Sequence, residues 1–260
     1  MIDAHIHIEK GPYTLEWINE FVKTALDRYI DEIYLLEHCY LFNEFTAMYD
    51  GVCAYSDYID KWFHKRAGRY GISHYLDLIE KVRNHVWPVK INFGLEVCYF
   101  KDSEEFIYKN IKDLGLDFVT GSVHFIDGFA YDHIPELWNG IDVDNVYRRY
   151  FETSVDLAKS GIFSGIGHPD SIKLFGHKAS FPLTDRYIEL AEALKRNDMY
   201  AEESGGLHTR GLYNAESGMD PKMLKIMKQY NVTIRTASDA HSPCDVGLNI
   251  EKLQRMVDKE

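Results

Sequence analysis

Short apolar segments alternate with amphipathic helical segments along almost the whole of this 260-residue chain. The apolar segments have the length and composition of buried strands, and they lie at residues 33–36, 91–95, 118–123, 162–166, 199–201 and 232–237. Strands that alternate with helices in this way predict an α/β fold with a parallel sheet, either a barrel or a doubly wound sheet. Since α/β barrels of this length are routinely one domain, we expect residues 1–260 to form a single domain.

Capping residues indicate where several of the helices begin or end. Thr14 precedes an amphipathic run and has the side chain of an N-cap. Gly161 follows the helical pattern of residues 146–158 and is typical of the residue after a helix end. Asp220-Pro221 combines a cap with proline at the first helical position, so another helix is expected to begin there.

The predicted first strand, at residues 2–8, carries the pattern His5-Ile6-His7. Its isoleucines alternate with Asp3, His5 and His7, which is the period of a β-strand. Residues i and i+2 of a strand point to the same face, so the two imidazoles should project side by side while the isoleucines pack on the other face. Neutral imidazole is a common metal ligand, although a short pattern of this kind is more often an ordinary strand end.

Metal-competent side chains also stand at the carboxyl ends of the later predicted strands. They are His38, Glu96, His124, His168, Asp239 and His241. In α/β barrels the active site is assembled at the carboxyl rim of the strands. We therefore expect these residues, although far apart in sequence, to converge on one mouth.

Each of these residues has a simpler interpretation when it is taken alone. A single histidine after a strand is usually solvated, Glu96 could pair with a cation, and Asp239 could cap a helix. Glu and His have no propensity to end buried strands, however, so their recurrence along the chain favours a metal site. A set of His, Asp and Glu without Cys suits Zn²⁺, Mn²⁺ or Fe²⁺, and a carboxylate among histidines can bridge a multinuclear centre.

The segment at about residues 39–71 breaks the alternation of strands and helices. It is rich in aromatic residues and contains the basic run His64-Lys65-Arg66. An excursion of this length after a strand is often a lid or a wall of the substrate site. A packed extra helix is an equally good interpretation, and both remain open at this stage.

Composition and charge disfavour several kinds of partner. The net charge is −12 and no basic stretch is longer than the three-residue run at 64–66, which argues against a nucleic-acid partner. Cys39, Cys53, Cys98 and Cys244 have no paired spacing and are typical of reduced thiols. Because no apolar run approaches the ~20 residues of a membrane span and no secretory pattern is present, we expect a cytoplasmic protein without a membrane partner. The oligomeric state stays open.

Six short segments of the chain match one known family in its order. They are Asp3-Ala4-His5-Ile6-His7, Glu37-His38, Gly94-Leu95-Glu96-Val97, Gly121-Ser122-Val123-His124-Phe125, Gly167-His168-Pro169-Asp170 and Ser238-Asp239-Ala240-His241. This set resembles the PHP (polymerase and histidinol phosphatase) superfamily of metal-dependent phosphoesterases, and most closely its histidinol-phosphatase branch. The resemblance implies an irregular barrel of about seven β/α units with its active site at the carboxyl rim of the strands.

The resemblance also implies two or three divalent metal ions of zinc, manganese or iron. The first would be held by His5, His7, Glu96 and Asp239. Glu96 would bridge to a second ion held by His124 and His168, and His38 and His241 would contribute to a third. Family members often carry another histidine on the loop after the first strand, where this chain has Glu9 as a possible oxygen ligand for the third site.

The function implied is hydrolysis of a small phosphomonoester, most specifically L-histidinol phosphate in histidine biosynthesis. We expect the Glu96-bridged ions to generate the attacking hydroxide, with Asp239 or a histidine such as His241 as the general acid. Arg210 is the first candidate for a phosphate contact, followed by Lys173, Arg66 and Arg69. The acidic pair Glu202-Glu203 and the aromatic excursion could receive the ammonium and imidazole groups of the substrate.

Other functions remain possible from the sequence alone. A phosphoesterase of the same family could act on nucleotides, sugar phosphates or phosphotyrosine, whereas the acidic charge argues against a nuclease. A metal-dependent amidohydrolase also begins with the His-x-His pattern, but it would normally offer a metal-binding lysine at a strand end, and none occurs here. A non-catalytic metal-binding domain would be expected to lose some ligand positions, and the core positions are present.

Overall fold

The computed structural model describes residues 1–206 and 217–259, and within them seven parallel strands follow one another in chain order. The strands are β1 (Ile2–His7), β2 (Glu32–Leu36), β3 (Lys90–Cys98), β4 (Phe118–Ser122), β5 (Gly165–Ile166), β6 (Tyr200–Ser204) and β7 (Thr233–Ala237). The two ends of the sheet meet where the His7 N–H donates to the Ala240 carbonyl at 2.7 Å. The sheet thus nearly closes into a barrel, and the predicted irregular (β/α)7 fold is confirmed.

Helices on the outside of the barrel cover the strands. They are α1 (Leu15–Asp27), α2 (Asp50–Cys53), α3 (Asp57–Arg66), α4 (Ser73–Arg83), α5 (Glu104–Ile111), α6 (Val143–Lys159), α7 (Thr184–Arg196), α8 (Pro221–Gln229) and α9 (Ile250–Asp258). Short 3₁₀ turns lie at Cys39–Leu41, Asn43–Tyr49, Lys101–Ser103, Pro135–Trp138, Ser171–Lys173 and Pro243–Asp245. Among the helices in the described part of the chain, none combines the length and the hydrophobicity that a membrane crossing needs.

The predicted helix ends agree with the structure. The Thr14 hydroxyl accepts the Trp17 N–H at the start of α1, and Asp220 accepts two backbone N–H groups at the start of α8. Gly161 follows the end of α6 with φ of +71°, a conformation that glycine adopts without strain. Local side-chain chemistry therefore sets these boundaries as expected.

Aromatic side chains and one arginine fill the amino end of the barrel interior. The Arg235 guanidinium lies between the rings of Tyr34 and Tyr200, 4.8 and 4.2 Å from their centroids. The Tyr200 hydroxyl lies 2.6 Å from the Thr120 hydroxyl, and Phe118 packs edge-on against Tyr34. Cation–π and hydrogen-bond contacts close this end, so the open end of the barrel is the carboxyl rim.

The excursion at about residues 39–71 combines the two interpretations of its sequence. It holds two 3₁₀ turns followed by α2 and α3. Ile59 and Phe63 on α3 are buried in the hydrophobic core, as a packed extra helix requires. Tyr58, Trp62 and Arg66 on the same helix line a cavity at the carboxyl rim, as a substrate wall requires.

Candidate metal centre

A β-bulge in β1 aims the two N-terminal histidines into the barrel. Asp3 pairs with Ile33, whereas Ile6 pairs with Leu35, so β1 has one residue more than β2 between these points. One extra residue reverses which side chains face inward, so His5 and His7 face the interior and are fully buried.

The bulge separates Asp3 from the two histidines, so the simple alternation expected for β1 is wrong at this residue. The Asp3 carboxylate instead accepts hydrogen bonds from the Ser238 N–H at 2.8 Å and hydroxyl at 2.6 Å, and from the Gly247 N–H at 2.8 Å. Burial raises its pKa to about 6. Asp3 therefore ties β1 to the residue before Asp239 and supports the site from behind.

Four side chains converge on one point next to the bulge. The Nε2 atoms of His5 and His7 are 2.9 Å apart. The Oε2 atom of Glu96 lies 3.7 and 3.5 Å from them, and the Oδ1 atom of Asp239 lies 3.8 Å from each. Ligands of a tetrahedral Zn²⁺ with bonds of about 2.0–2.2 Å are separated by similar distances. This set therefore fits the first predicted metal ion.

Glu96 is fully enclosed by two groups of imidazoles. Its Oε1 atom lies 3.0 Å from Nε2 of both His124 and His168. Its Oε2 atom faces His5, His7 and His38, with His38 Nδ1 at 2.6 Å. Burial would raise the pKa of Glu96, but the imidazoles outweigh burial and hold it well below its usual range.

The two carboxylate oxygens of Glu96 thus face different histidines, as a bridging ligand must. Where the imidazoles are neutral and direct their lone pairs at Glu96, a cation can be held between each nitrogen and the carboxylate. The donor set is therefore suited to two cations that share Glu96.

His7 is the neutral imidazole that metal binding requires. Burial and the nearby imidazoles of His38 and His241 lower its pKa well below the usual range. Its ring stacks on His38 at 4.1 Å and on His241 at 4.4 Å between centroids. Ligand atoms of His7, His38 and His241 lie within 4.8 Å of one another, so these three form a further candidate group.

Glu9 lies next to this further group and contacts His241 directly. Its Oε1 atom accepts a hydrogen bond from His241 Nδ1 at 2.8 Å, while His241 Nε2 lies 3.5 Å from Asp239 Oδ1. Burial lowers the pKa of His241, but the two carboxylates outweigh burial and raise it to about 9. Glu9 therefore lies where it can orient His241, and its role as a ligand of a third ion stays a prediction.

Two carboxylates that we did not predict as part of the centre hold metal-competent histidines from behind. Both oxygens of the fully buried Glu202 lie 3.0 Å from His5 Nδ1, and Glu202 also accepts the His168 backbone N–H at 3.2 Å. Asp132 accepts from His124 Nδ1 at 2.7 Å. Such contacts fix the imidazole tautomer and leave Nε2 free to bind a metal. From the sequence, the signal for this role of Glu202 is its place on β6, where alternate side chains face the barrel interior.

Two of the predicted ligands have left-handed backbone conformations. His168 has φ of +29° and Asp239 has φ of +53°. Non-glycine residues adopt this region at a cost, and such strain is concentrated at functional sites. The turns that follow β5 and β7 thus hold these two side chains at the centre.

A model of the PHP domain matches residues 3–204. The chain belongs to the PHP domain family. Over 255 residues it is 25% identical to a protein named "Probable histidinol-phosphatase" from Deinococcus radiodurans, covering 95% of this chain and 88% of that protein.

Two solved structures share the PHP domain fold seen here. HisK from Listeria monocytogenes superposes with a TM-score of 0.76 at 20% identity, covering 97% of this chain and 99% of the other. Histidinol phosphate phosphatase from Lactococcus lactis, solved as a complex with zinc, L-histidinol and phosphate, superposes with a TM-score of 0.72 at 19% identity. This second match covers 98% of this chain and 92% of the other.

A cavity of about 420 Å³ opens above the centre of this PHP domain. Part of its lining consists of metal-competent residues, which are Glu9, His38, Glu96, His124 and His241. The remainder comes mainly from the excursion and from residues 125–133, and the cations Lys10 and Arg66 also line it. The cavity therefore joins the candidate metal centre to a wall suited to an organic ligand.

Among the described residues, Lys173 and the acidic pair Glu202-Glu203, which the sequence suggested as substrate contacts, do not line this cavity. Lys173 lines a different cavity, where its amino group lies 2.8 Å from Asp170 and donates to the Gly218 carbonyl at 2.6 Å. Glu202 and Glu203 are fully buried and bonded within the protein, so they are not positioned to receive a substrate ammonium group. Arg210 lies outside the described residues.

Proposed function

We propose that this PHP domain is a metal-dependent phosphomonoester hydrolase that converts L-histidinol phosphate and water to L-histidinol and phosphate. The position of the buried Glu96 carboxylate between two groups of imidazoles carries the proposal. The names of the Deinococcus and Lactococcus relatives support the choice of substrate. A small phosphorylated partner also agrees with the cavity above the centre.

The residues that would hold the metal ions follow from the contacts described above. His5, His7 and Asp239 with Glu96 would hold one ion, and His124 and His168 with Glu96 a second. His38 and His241, with Glu9 beside them, would contribute to a third. When bound, such ions would lower the pKa of a water molecule and neutralise phosphoryl oxygens.

The chain's own groups would prepare this reaction in three ways. Glu202 and Asp132 orient His5 and His124, so the ligand atoms need little rearrangement. His241 lines the cavity with the buried Asp239 3.5 Å from its Nε2, and one of these two groups would hand a proton to the leaving oxygen. The enclosing wall limits the access of bulk water to the phosphoryl group.

A substrate panel combined with metal analysis tests the proposal. The purified protein should hydrolyse L-histidinol phosphate with the highest kcat/KM among nucleotide, sugar, tyrosine and histidinol phosphates, and it should carry bound zinc, manganese or iron. Turnover of another ester without turnover of histidinol phosphate would exclude the proposed substrate.

A pair of double variants tests the use of metal. His5→Ala/His7→Ala should abolish activity together with bound metal. The matched control His64→Ala/His74→Ala removes two exposed histidines of α3 and α4 and should change neither. Full activity of the first double variant would exclude the metal-dependent mechanism.

A further inference from the structure

The cavity above the centre has an aromatic half that none of the predicted metal ligands occupies. Its wall is formed by Tyr58 and Trp62 of α3 and by His133, which we call the aromatic slot. The Trp62 ring lies 4.4 Å from the His133 ring between centroids, and Tyr58 meets His133 edge-on at 5.9 Å. The slot therefore presents ring surfaces and polar ring edges on one side of the cavity.

The spacing of residues along α3 gives the helix one fully buried stripe and one stripe that is only partly buried. Ile59 and Phe63, four residues apart, anchor α3 in the core and are 1% and 7% exposed. Tyr58, Trp62 and Arg66 recur with the same spacing on the neighbouring stripe, and all three line the cavity. Tyr58 and Trp62 also contact the core but are only partly buried, so part of each ring remains open to the cavity.

Trp62 differs from the other tryptophans of the chain in its hydrogen bonding. The indole N–H groups of Trp17, Trp87 and Trp138 donate to backbone carbonyls at 2.9, 3.0 and 2.8 Å. Within residues 1–206 and 217–259, no acceptor pairs with the indole N–H of Trp62. A partly exposed tryptophan with an unpaired donor beside a cavity is typical of a binding surface.

The slot is close to the metal centre by two separate routes. The rings of His38 and Tyr40 stack at 4.9 Å, and Tyr40 meets Trp62 at 5.3 Å. On the other side, His133 directly follows Asp132, which holds His124. A ligand anchored at the centre by its phosphoryl group would therefore reach Trp62 through a short carbon chain.

We propose that the aromatic slot of Tyr58, Trp62 and His133 selects phosphomonoesters whose leaving group carries a flat ring a few carbons from the ester oxygen. This specificity role rests on the proposed phosphatase function. Stacking on Trp62 buries one face of the ring, and polar ring edges of the wall can meet a ring nitrogen. An imidazole is a ring of this kind, and a leaving group without a ring leaves the slot filled with water.

Trp62→Ala tests the slot by comparing two substrates. L-Histidinol phosphate carries the ring, and 2-aminoethyl phosphate keeps the ammonium group and the ester but lacks the ring. The ratio of their kcat/KM values should fall by about 10- to 100-fold in the variant, mainly through KM for the ring-bearing ester, because that is the usual effect of losing one buried aromatic contact. Trp62→Phe, which keeps a ring, should retain most of the preference.

Trp87→Ala is the matched control, because Trp87 is also partly buried but precedes β3 at the amino end of the barrel. It should leave the ratio unchanged. Thermal unfolding and metal content of each variant show whether the fold and the centre are intact. An equal decrease of kcat/KM for both substrates in Trp62→Ala would contradict the proposed specificity role of the slot. A wild-type protein that shows no preference for the ring-bearing ester would contradict it as well.

Failure of the slot and failure of the proposed substrate give different results. The wild-type protein could fail to hydrolyse histidinol phosphate but prefer another ring-bearing ester. If Trp62→Ala then removes that preference, the specificity role of the slot is confirmed and the proposed substrate is wrong. Calorimetric titration with L-histidinol and with 2-aminoethanol gives a readout that does not need turnover. L-Histidinol should bind at least tenfold more weakly to Trp62→Ala than to the wild type, and equal affinities would overturn the slot.

Discussion

Removal of the Glu202 carboxylate should weaken metal binding without any change to a metal ligand. Glu202 is fully buried and accepts hydrogen bonds from His5 Nδ1 and from the His168 backbone N–H. Glu202→Ala leaves both donors buried without an acceptor. Each such donor costs about 1–3 kcal/mol, so the free energy of unfolding should fall by about 2–6 kcal/mol.

The larger effect is expected on the centre itself. With Glu202 absent, nothing holds the His5 ring in the tautomer that directs Nε2 at the metal. Loss of such a contact typically weakens metal affinity by about 10- to 100-fold. Competition with a chromophoric chelator measures this affinity, and urea unfolding of metal-free protein measures the stability separately.

Glu203 provides the matched control on the same strand. It is equally buried but faces away from the barrel and accepts the Met219 N–H at 3.0 Å. Glu203→Ala should lower stability without a change in metal affinity, and Glu202→Gln, which keeps an acceptor oxygen, should retain most of the affinity. Equal metal affinity in Glu202→Ala and the wild type would refute this reasoning.

Two further predictions concern residues that bind no metal themselves. A Cβ atom on Gly206 would lie 2.3 Å from Oδ2 of Asp239, so Gly206→Ala should displace this carboxylate and lower metal affinity. Gly51 has open space around it, so Gly51→Ala should leave the metal affinity unchanged. Competition with a chromophoric chelator compares the two variants. Burial raises the pKa of Glu203 to about 7. The folded state therefore binds the carboxyl proton of Glu203 more tightly than the unfolded state does. The resulting contribution to stability is complete below about pH 4.5 and is lost as the pH rises through 7. Urea unfolding of Glu203→Gln and wild type at pH 5 and pH 8 should therefore show the variant gaining up to about 3 kcal/mol relative to the wild type at the higher pH, and a constant difference would contradict the shift.

The order of strands and the convergence of the rim residues could be predicted from the sequence because both follow from local patterns. Hydrophobic periodicity indicates each strand, and parallel strands bring their carboxyl ends to one face. His5, Glu96 and His168 accordingly meet, although they come from β1, β3 and the turn after β5. The limits of individual strands were less accurate, since β5 has only the two residues Gly165–Ile166 instead of five.

The details that set the geometry of the centre depend on contacts that local patterns do not show. The bulge in β1 depends on pairing with β2, so the strand period alone placed Asp3 on the wrong face. The sequence suggests Glu202 as a partner of the substrate ammonium group, yet its position on β6 places its carboxylate against His5 Nδ1. Lys173 looked like a free cation, but Asp170 and the Gly218 carbonyl bind its amino group.

The aromatic excursion shows why two interpretations of one segment could both be right. A helix with apolar residues on adjacent stripes can pack with one and line a cavity with the other. In α3, Phe63 is on the packed stripe and Trp62 on the lining stripe. Composition alone could not assign the stripes, because the assignment depends on where the helix lies over the rim.

Metal stoichiometry of the wild type and of Glu96→Ala tests the central claim most directly. If Glu96 bridges two cations, the wild-type protein loaded with zinc or manganese and freed of excess should retain two or more ions per chain by elemental analysis. Glu96→Ala should lose most of them together with phosphatase activity. A wild-type protein that retains fewer than one ion per chain, or a Glu96→Ala variant that keeps its ions and its activity, would contradict the account.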